Sequence, residues 1–162
     1  MNRTTITRAL VATLLLFSAH ISANVTPLVP NDNVGNFRLF DHAGGSHQLH
    51  YFSDKKAVVL YVQDLSCDAN NGAALTRLKA VHGDDIEVFQ INATAPRAQV
   101  AEAADKQGIP VLIDDSQLVS RTFGLNRAGE ALVINPQQWT LAYRGATGAE
   151  ACQFSRRSVA RL

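Results

Sequence analysis

The sequence predicts an α/β fold, a central mixed β-sheet flanked by helices, and three observations predict it. Short apolar, β-branched runs at 57–63, 86–92 and 109–114 alternate with helical patterns, which is the order of a parallel sheet with crossover helices. Two further runs, "EALVIN" (130–135) and "TLAYRG" (140–145), are separated only by "PQQW" and read as an antiparallel hairpin that makes the sheet mixed. With 46% hydrophobic and 18% charged residues, a chain of 162 residues buries a core without disulfide staples and fits one domain.

Taken in order, the chain opens with Arg3 and Arg8 ahead of an apolar stretch, Ala9–Phe17, and then Ile21-Ser22-Ala23. This is the pattern of a secretory signal peptide over 1–23, cleaved after about Ala23; an uncleaved membrane anchor is the alternative. Cleavage removes two of the 15 basic residues and no acid, leaving thirteen against 14. The two arginines and the short leader point to a bacterial periplasmic or secreted protein with no stable membrane span after cleavage. Residues 24–35, with Pro27 and Pro30, read as a linker into a domain over 36–145, and 146–162 form a C-terminal tail.

"NFRLFDHAGGSHQLHYF" alternates about Gly44-Gly45 and predicts an N-terminal β-hairpin. "AVVLYVQ" (57–63) is apolar at both parities, as in a strand covered on both faces. Beyond Cys67, residues Ala74, Leu75, Leu78, Val81 and His82 repeat with helical spacing, and Gly83 is placed to end that helix. "IEVFQIN" (86–92) is the next strand; "PRAQVAEAADKQ" (96–107) is a helix between Pro96 and Gly108. After "IPVLID" (109–114), Ser116 is placed to cap a helix that ends at Gly124. The tail after Gly145 has room for a helix of about three turns at most. Its apolar residues Ala151, Phe154, Val159 and Leu162 do not repeat cleanly, which leaves one sheet face partly bare.

The near-neutral charge excludes the electrostatic footprint of a nucleic-acid binder. No P-loop, GxGxxG or GxSxG occurs, so nucleotide and serine-hydrolase chemistry have no warrant. His42, His47 and His50 cluster in the hairpin without an acid or cysteine at metal-ligand spacing, and read as solvated. Asp84-Asp85 and Asp114-Asp115 read as solvated loop acids, and Trp139 as a packing residue. No cofactor is implied.

The two cysteines are Cys67 and Cys152, and they form no CxxC. Cys67 falls where a buried strand gives way to a helix, and free N–H groups at a helix N-terminus favour the thiolate. The alternative is a small buried core residue. Asp64 and Asp68 flank Cys67 and raise its pKa if their carboxylates face the sulfur; Asp68 is equally placed to cap the helix instead.

The element order with a cysteine at the first strand–helix junction resembles the thioredoxin-like superfamily, and within it the redoxin and peroxiredoxin-like (alkyl hydroperoxide reductase/thiol-specific antioxidant) group. The resemblance covers about residues 34–145 and rests on "GNFRLFDHAGGSHQL", the strand with "SCDAN", "PVLIDDSQLVSRTFGL" and "GEALVINPQQWTLAYRG". It implies a thioredoxin-like fold with a shortened C-terminal helix. It also implies an exported thiol oxidoreductase that reduces peroxide or exchanges thiols and disulfides through Cys67. Arg127 is the cation the resemblance puts near the thiolate, Arg121 being the other candidate, and Cys152 is the internal choice as resolving thiol. Otherwise an external thiol reductant or a redox protein partner serves. The chain differs from the group at three places. Asn70 replaces the second cysteine of a CxxC. Leu60 and Asp64 stand at the Pro and Thr/Ser places of PxxxTxxC. Gly129 stands where thioredoxin-like enzymes carry a proline ahead of the late strand. A non-catalytic thioredoxin-like binding module of the cell envelope is the alternative function.

Overall fold

The computed structural model describes residues 26–65, 72–104 and 108–147. Within them lie strands β1 (Arg38–Asp41), β2 (Ser46–Gln48), β3 (Ala57–Val62), β4 (Ile86–Asn92), β5 (Val111–Ile113), β6 (Glu130–Asn135) and β7 (Thr140–Ala146). The helices are α1 (Gly72–His82), α2 (Arg97–Ala104) and α3 (Leu118–Phe123), with short 3-10 turns at Leu49–Phe52 and Gly83–Asp85. One sheet of order β2-β1-β5-β4-β3-β6-β7 results. β3, β4 and β5 run parallel, while β1 and β6 join them antiparallel, so the mixed sheet and both hairpins are as the sequence predicts.

Period-2 alternation sorts the core onto two faces. Val58, Leu60, Val62, Phe89, Ile91, Leu112, Leu132 and Ile134 face α3 and its Val119 and Phe123. Val59, Tyr61, Val88 and Ala131 face α1, which meets them with Leu75 and Leu78. Val100 and Ala104 of α2 cover Val111 and Ile113 on that same side. With a helix over each face, β3 is apolar at both parities. α1 buries less than its sequence suggests. Ala74 and Val81 lie about 100–120° round the helix from Leu75 at 3.6 residues per turn, off the sheet-facing stripe, and are exposed.

The stretch ahead of β1 is docked on the domain. Leu28 and Val34 join the α3-side core. Asn31 N donates to Leu141 O (2.8 Å), Leu141 N to Asp32 O (2.9 Å) and Val34 N to Trp139 O (2.7 Å), so this segment covers the outer edge of β7 at its start. Trp139 packs as expected, partly buried against the core and stacked on His50 with ring centroids 4.1 Å apart.

α3 corrects the sequence reading twice. Ser116 is not its main anchor, accepting only the Leu118 amide at 3.3 Å. The anchor is Asp114, whose carboxylate accepts from Ser120 N (2.7 Å) and Val119 N (3.4 Å). Asp114 is therefore no solvated loop acid: it has no exposed surface. First-turn amides have no intrahelical acceptor, and a buried helix start must find one elsewhere. Asp114→Ala is expected to cost about 2–3 kcal/mol, as removal of a charged acceptor strands buried amides. Urea denaturation measures this, and a loss below about 0.5 kcal/mol would contradict it.

At the far end of α3, Gly124 adopts φ 61°, and a Cβ there would sit 2.6 Å from Pro27 Cα, so only glycine fits. The carbonyls this end leaves open meet Arg144 of β7. Its guanidinium donates to Phe123 O (2.7 Å), Gly124 O (2.7 Å) and Leu28 O (3.2 Å). The same group pairs with both oxygens of Glu130, each at 2.8 Å. The face of β6 and β7 turned toward α1 is thinner: Tyr143 is 49% exposed there.

Candidate active site

The parallel strands β3, β4 and β5 end at one edge of the sheet, and each apolar run ends there in a polar residue: Gln63, Asn92 and Asp114. All three are buried. Gln63 N donates to Ile91 O (2.9 Å) and Asp114 N to Asn92 O (2.9 Å), so the backbone ladder runs one residue past the apolar core. Asn92 then ties two connections together. Its Nδ2 donates to Gln63 O (3.4 Å) and Oε1 (3.3 Å), while its Oδ1 accepts from Thr94 N (3.0 Å) and Ala95 N (2.9 Å). Gln117, at φ 56°, reaches from the β5–α3 turn to Ala93 O (3.2 Å). Sequence reasoning passed over this seat of amides. Its signal is the repeated amide or acid at the end of each apolar run.

β3 lies inside the sheet, between β4 and β6. Its exit runs through Gln63, half-buried Asp64 and Leu65, and the chain is next described at Gly72, the first residue of α1. Cys67 lies between, outside the described residues, as do Asp68 and Asn70. Cys152 lies outside them as well. The first described turn of α1 carries no acid. Gln90 and Asn92 continue the β4 row of Ile86 and Val88, so buried amides lie on the face that α1 covers.

Across from the β3 exit, Gly129 N donates to Val62 O (2.9 Å), and Gly129 O accepts from Thr147 N and Oγ1, both at 2.9 Å. Gly129 has φ 81°, a value open to glycine and closed to proline. Arg127 stands two residues before this contact and is exposed. Arg121 is on the exposed side of α3, donating to Gln117 Oε1 (3.4 Å).

Two of the hairpin histidines, His42 and His47, are half-buried and not solvated as the sequence suggested, while His50 is exposed. His47 Nε2 lies 2.7 Å from Asp41 Oδ2, and its ring meets Phe89 edge-on at 4.9 Å. His42 Nδ1 accepts from Val111 N (3.2 Å). His50 lies on Trp139. The spacing rule missed Asp41 because strand pairing, not sequence proximity, brings it to His47. No described helix is long and apolar enough to cross a membrane.

No protein-family model and no curated protein matches this sequence. Solved structures match it in fold. A hypothetical protein from Sinorhizobium meliloti 1021 superposes with a TM-score of 0.68 at 20% identity, over 77% of this chain and 74% of its own. Peroxidoxin BcpB from Mycobacterium tuberculosis gives 0.61 at 19% identity, over 74% and 86%. The pneumococcal exposed lipoprotein thioredoxin from Streptococcus pneumoniae gives 0.60 at 17% identity, over 72% and 92%.

Proposed function

We propose that this chain, which has the thioredoxin-like fold of those structures, is an exported thiol oxidoreductase that reduces peroxide or exchanges disulfides through Cys67. One observation supports the reading: β3 leaves the sheet at the edge where the parallel strands end, and in the sequence Cys67 follows that exit and precedes α1. Loops at that edge are where α/β sheets place ligand chemistry, and a thiol leading into a helix is favoured as its thiolate. The names of two of the similar structures, a peroxidoxin and a thioredoxin, agree with a redox role.

In the peroxide reaction the Cys67 thiolate attacks one oxygen of the O–O bond. An S–O bond forms as O–O breaks, the leaving oxygen departs with the bonding electron pair and takes a proton, and sulfur becomes a sulfenic acid. A second thiol then attacks that sulfur, water leaves, and a disulfide remains for an external thiol reductant to reduce. Cys152 is the internal candidate for this second thiol; a redox protein partner is the other. Arg127, exposed beside the Gly129–Val62 contact, supplies the positive charge that favours the thiolate and the departing oxyanion. Export to the periplasm or beyond follows from the leader over 1–23. Asp64 and Asp68 beside Cys67 favour a second reading, a binding module of the cell envelope in which the sulfur stays protonated.

The test is alkylation by iodoacetamide as a function of pH, with Cys152→Ser so that one thiol reports. A midpoint below the free-thiol value of about 8.5 is expected; one at or above it overturns the catalytic reading.

A further inference from the structure

We propose that Asn92 is the positioning residue of the strand-end edge: its side chain fixes the place where β3 leaves the sheet, and with it the start of the connection that runs on to Cys67. The inference rests on the reading of Cys67 given above. Asn92 ends β4 with 1% of its surface exposed. A buried amide is tolerated where its hydrogen bonds are met, and here both ends of the side chain have partners. Oδ1 accepts from Thr94 N (3.0 Å) and Ala95 N (2.9 Å), while Nδ2 donates to Gln63 O (3.4 Å) and Gln63 Oε1 (3.3 Å).

These partners force the orientation. A backbone N–H only donates, so the atom facing Thr94 and Ala95 is the oxygen. A backbone carbonyl only accepts, so the atom facing Gln63 O is the nitrogen, and the Gln63 atom that meets this nitrogen is Oε1. The partners also account for the residue type. The β4–α2 turn needs an oxygen for its amides, which serine, threonine or aspartate supplies in such turns. Serine and threonine have one polar atom, which cannot face the turn and β3 together. Aspartate would set a second acceptor against Gln63 O. The turn asks for an oxygen, and the tie to Gln63 asks for asparagine.

Gln63 is where the tie acts. It is the first residue beyond β3 and stands four residues ahead of Cys67 in the sequence. Its N donates to Ile91 O (2.9 Å), so the ladder holds the amide while Asn92 holds the carbonyl and the side chain. The direction in which the chain leaves the sheet is thereby set from both sides of one residue. Asn92 O also accepts from Asp114 N (2.9 Å), the residue that anchors α3, and Ala93 O accepts from Gln117 Nε2 (3.2 Å). The exits of β3, β4 and β5 are all referenced to Asn92 and its neighbour. A reacting group carried beyond such an exit is held by a supporting shell rather than by its own loop alone.

The test uses the full mature chain with Cys152→Ser, so that one thiol reports. It reads Cys67 alkylation by iodoacetamide at pH 7 and, by NMR, amide exchange at Gln63 N. Asn92→Ser keeps an oxygen for Thr94 and Ala95, adds no charge and drops the tie to Gln63. Exchange at Gln63 N is expected to quicken about three- to tenfold, the worth of one hydrogen bond, while that at Leu60 N in the middle of β3 holds. Alkylation is expected to slow at least about threefold, about thirtyfold being all that a lowered thiol pKa supplies. If that variant does not fold, Gln63→Met decides: it removes Oε1, leaves the bonds to Thr94 and Ala95, and is expected to slow alkylation likewise. Unchanged alkylation, with or without lost protection at Gln63, overturns the proposal. So does slower alkylation with Gln63 protection intact, because the effect then does not pass through the β3 exit. The reading of Cys67 fails separately, on a wild-type midpoint at or above about 8.5; a change of about threefold in either direction, with protection lost at Gln63, still sustains the positioning role.

Discussion

Arg144→Ala is expected to lower the unfolding free energy by about 3–5 kcal/mol, the range for removing one partner from a buried ion pair. The guanidinium and the Glu130 carboxylate are 10% and 13% exposed, so the pair is largely out of water. Alanine leaves that carboxylate without its cation and takes the guanidinium from three backbone carbonyls, of Leu28, Phe123 and Gly124, of which Phe123 O keeps only the Leu28 amide at 3.4 Å. Those carbonyls belong to the docked lead-in segment and the end of α3, so both are expected to loosen with β7. Arg144→Lys keeps the charge but not the planar fork, and a point charge cannot serve two carboxylate oxygens and three carbonyls together. It is expected to recover less than half of the loss. Urea unfolding at neutral pH measures both variants. A loss under 1 kcal/mol for alanine would mean that solvent already serves these groups.

What could be read in the chain before its structure follows from where each interaction lies along the sequence. β3 and β4 were legible because a strand covered on both faces must be apolar at both parities, and "AVVLYV" and "IEVFQI" have no other use. Gly83 and Gly124 ended their helices as expected, with φ of 56° and 61°, because the left-handed end of a helix is a local demand. Asp114 was not legible: "DDSQ" after a strand looks like a solvated turn until α3 folds back over it and its amides need an acceptor. Arg144 was hidden for the same reason. In "LAYRGA" it resembles the outward charge of an edge strand, and its acceptors lie 20, 21 and 116 residues away. The candidate site divides likewise. That Cys67 follows a buried strand is a local pattern readable in the sequence, and Cys67 itself lies outside the described residues. The amide seat made by Gln63, Asn92 and Gln117 depends on three connections meeting at one sheet edge, and so was not legible.

Cys67→Ser is expected to reduce peroxide consumption, assayed with a thiol reductant in excess, to the rate of the reductant alone. Serine keeps the shape and loses the chemistry, because a hydroxyl is not ionised near neutral pH and makes a poor nucleophile toward an O–O bond. The expected size can be bounded from ionisation. A free thiol with pKa about 8.5 is roughly 3% thiolate at pH 7, so lowering its pKa accelerates attack by at most about thirtyfold. Any acceleration over a free thiol beyond that has to come from stabilising the departing oxyanion, the role proposed for Arg127. Arg127→Gln is therefore expected to lower the rate while leaving stability within about 0.5 kcal/mol, since the side chain is exposed. Cys152→Ser separates the two resolving routes. If Cys152 is the second thiol, the first turnover stays fast and later ones stall in that variant; if an external thiol serves, steady turnover is unchanged. A Cys67→Ser protein that still consumes peroxide at the wild-type rate would remove sulfur at this position from the reaction, and the domain would then act through binding.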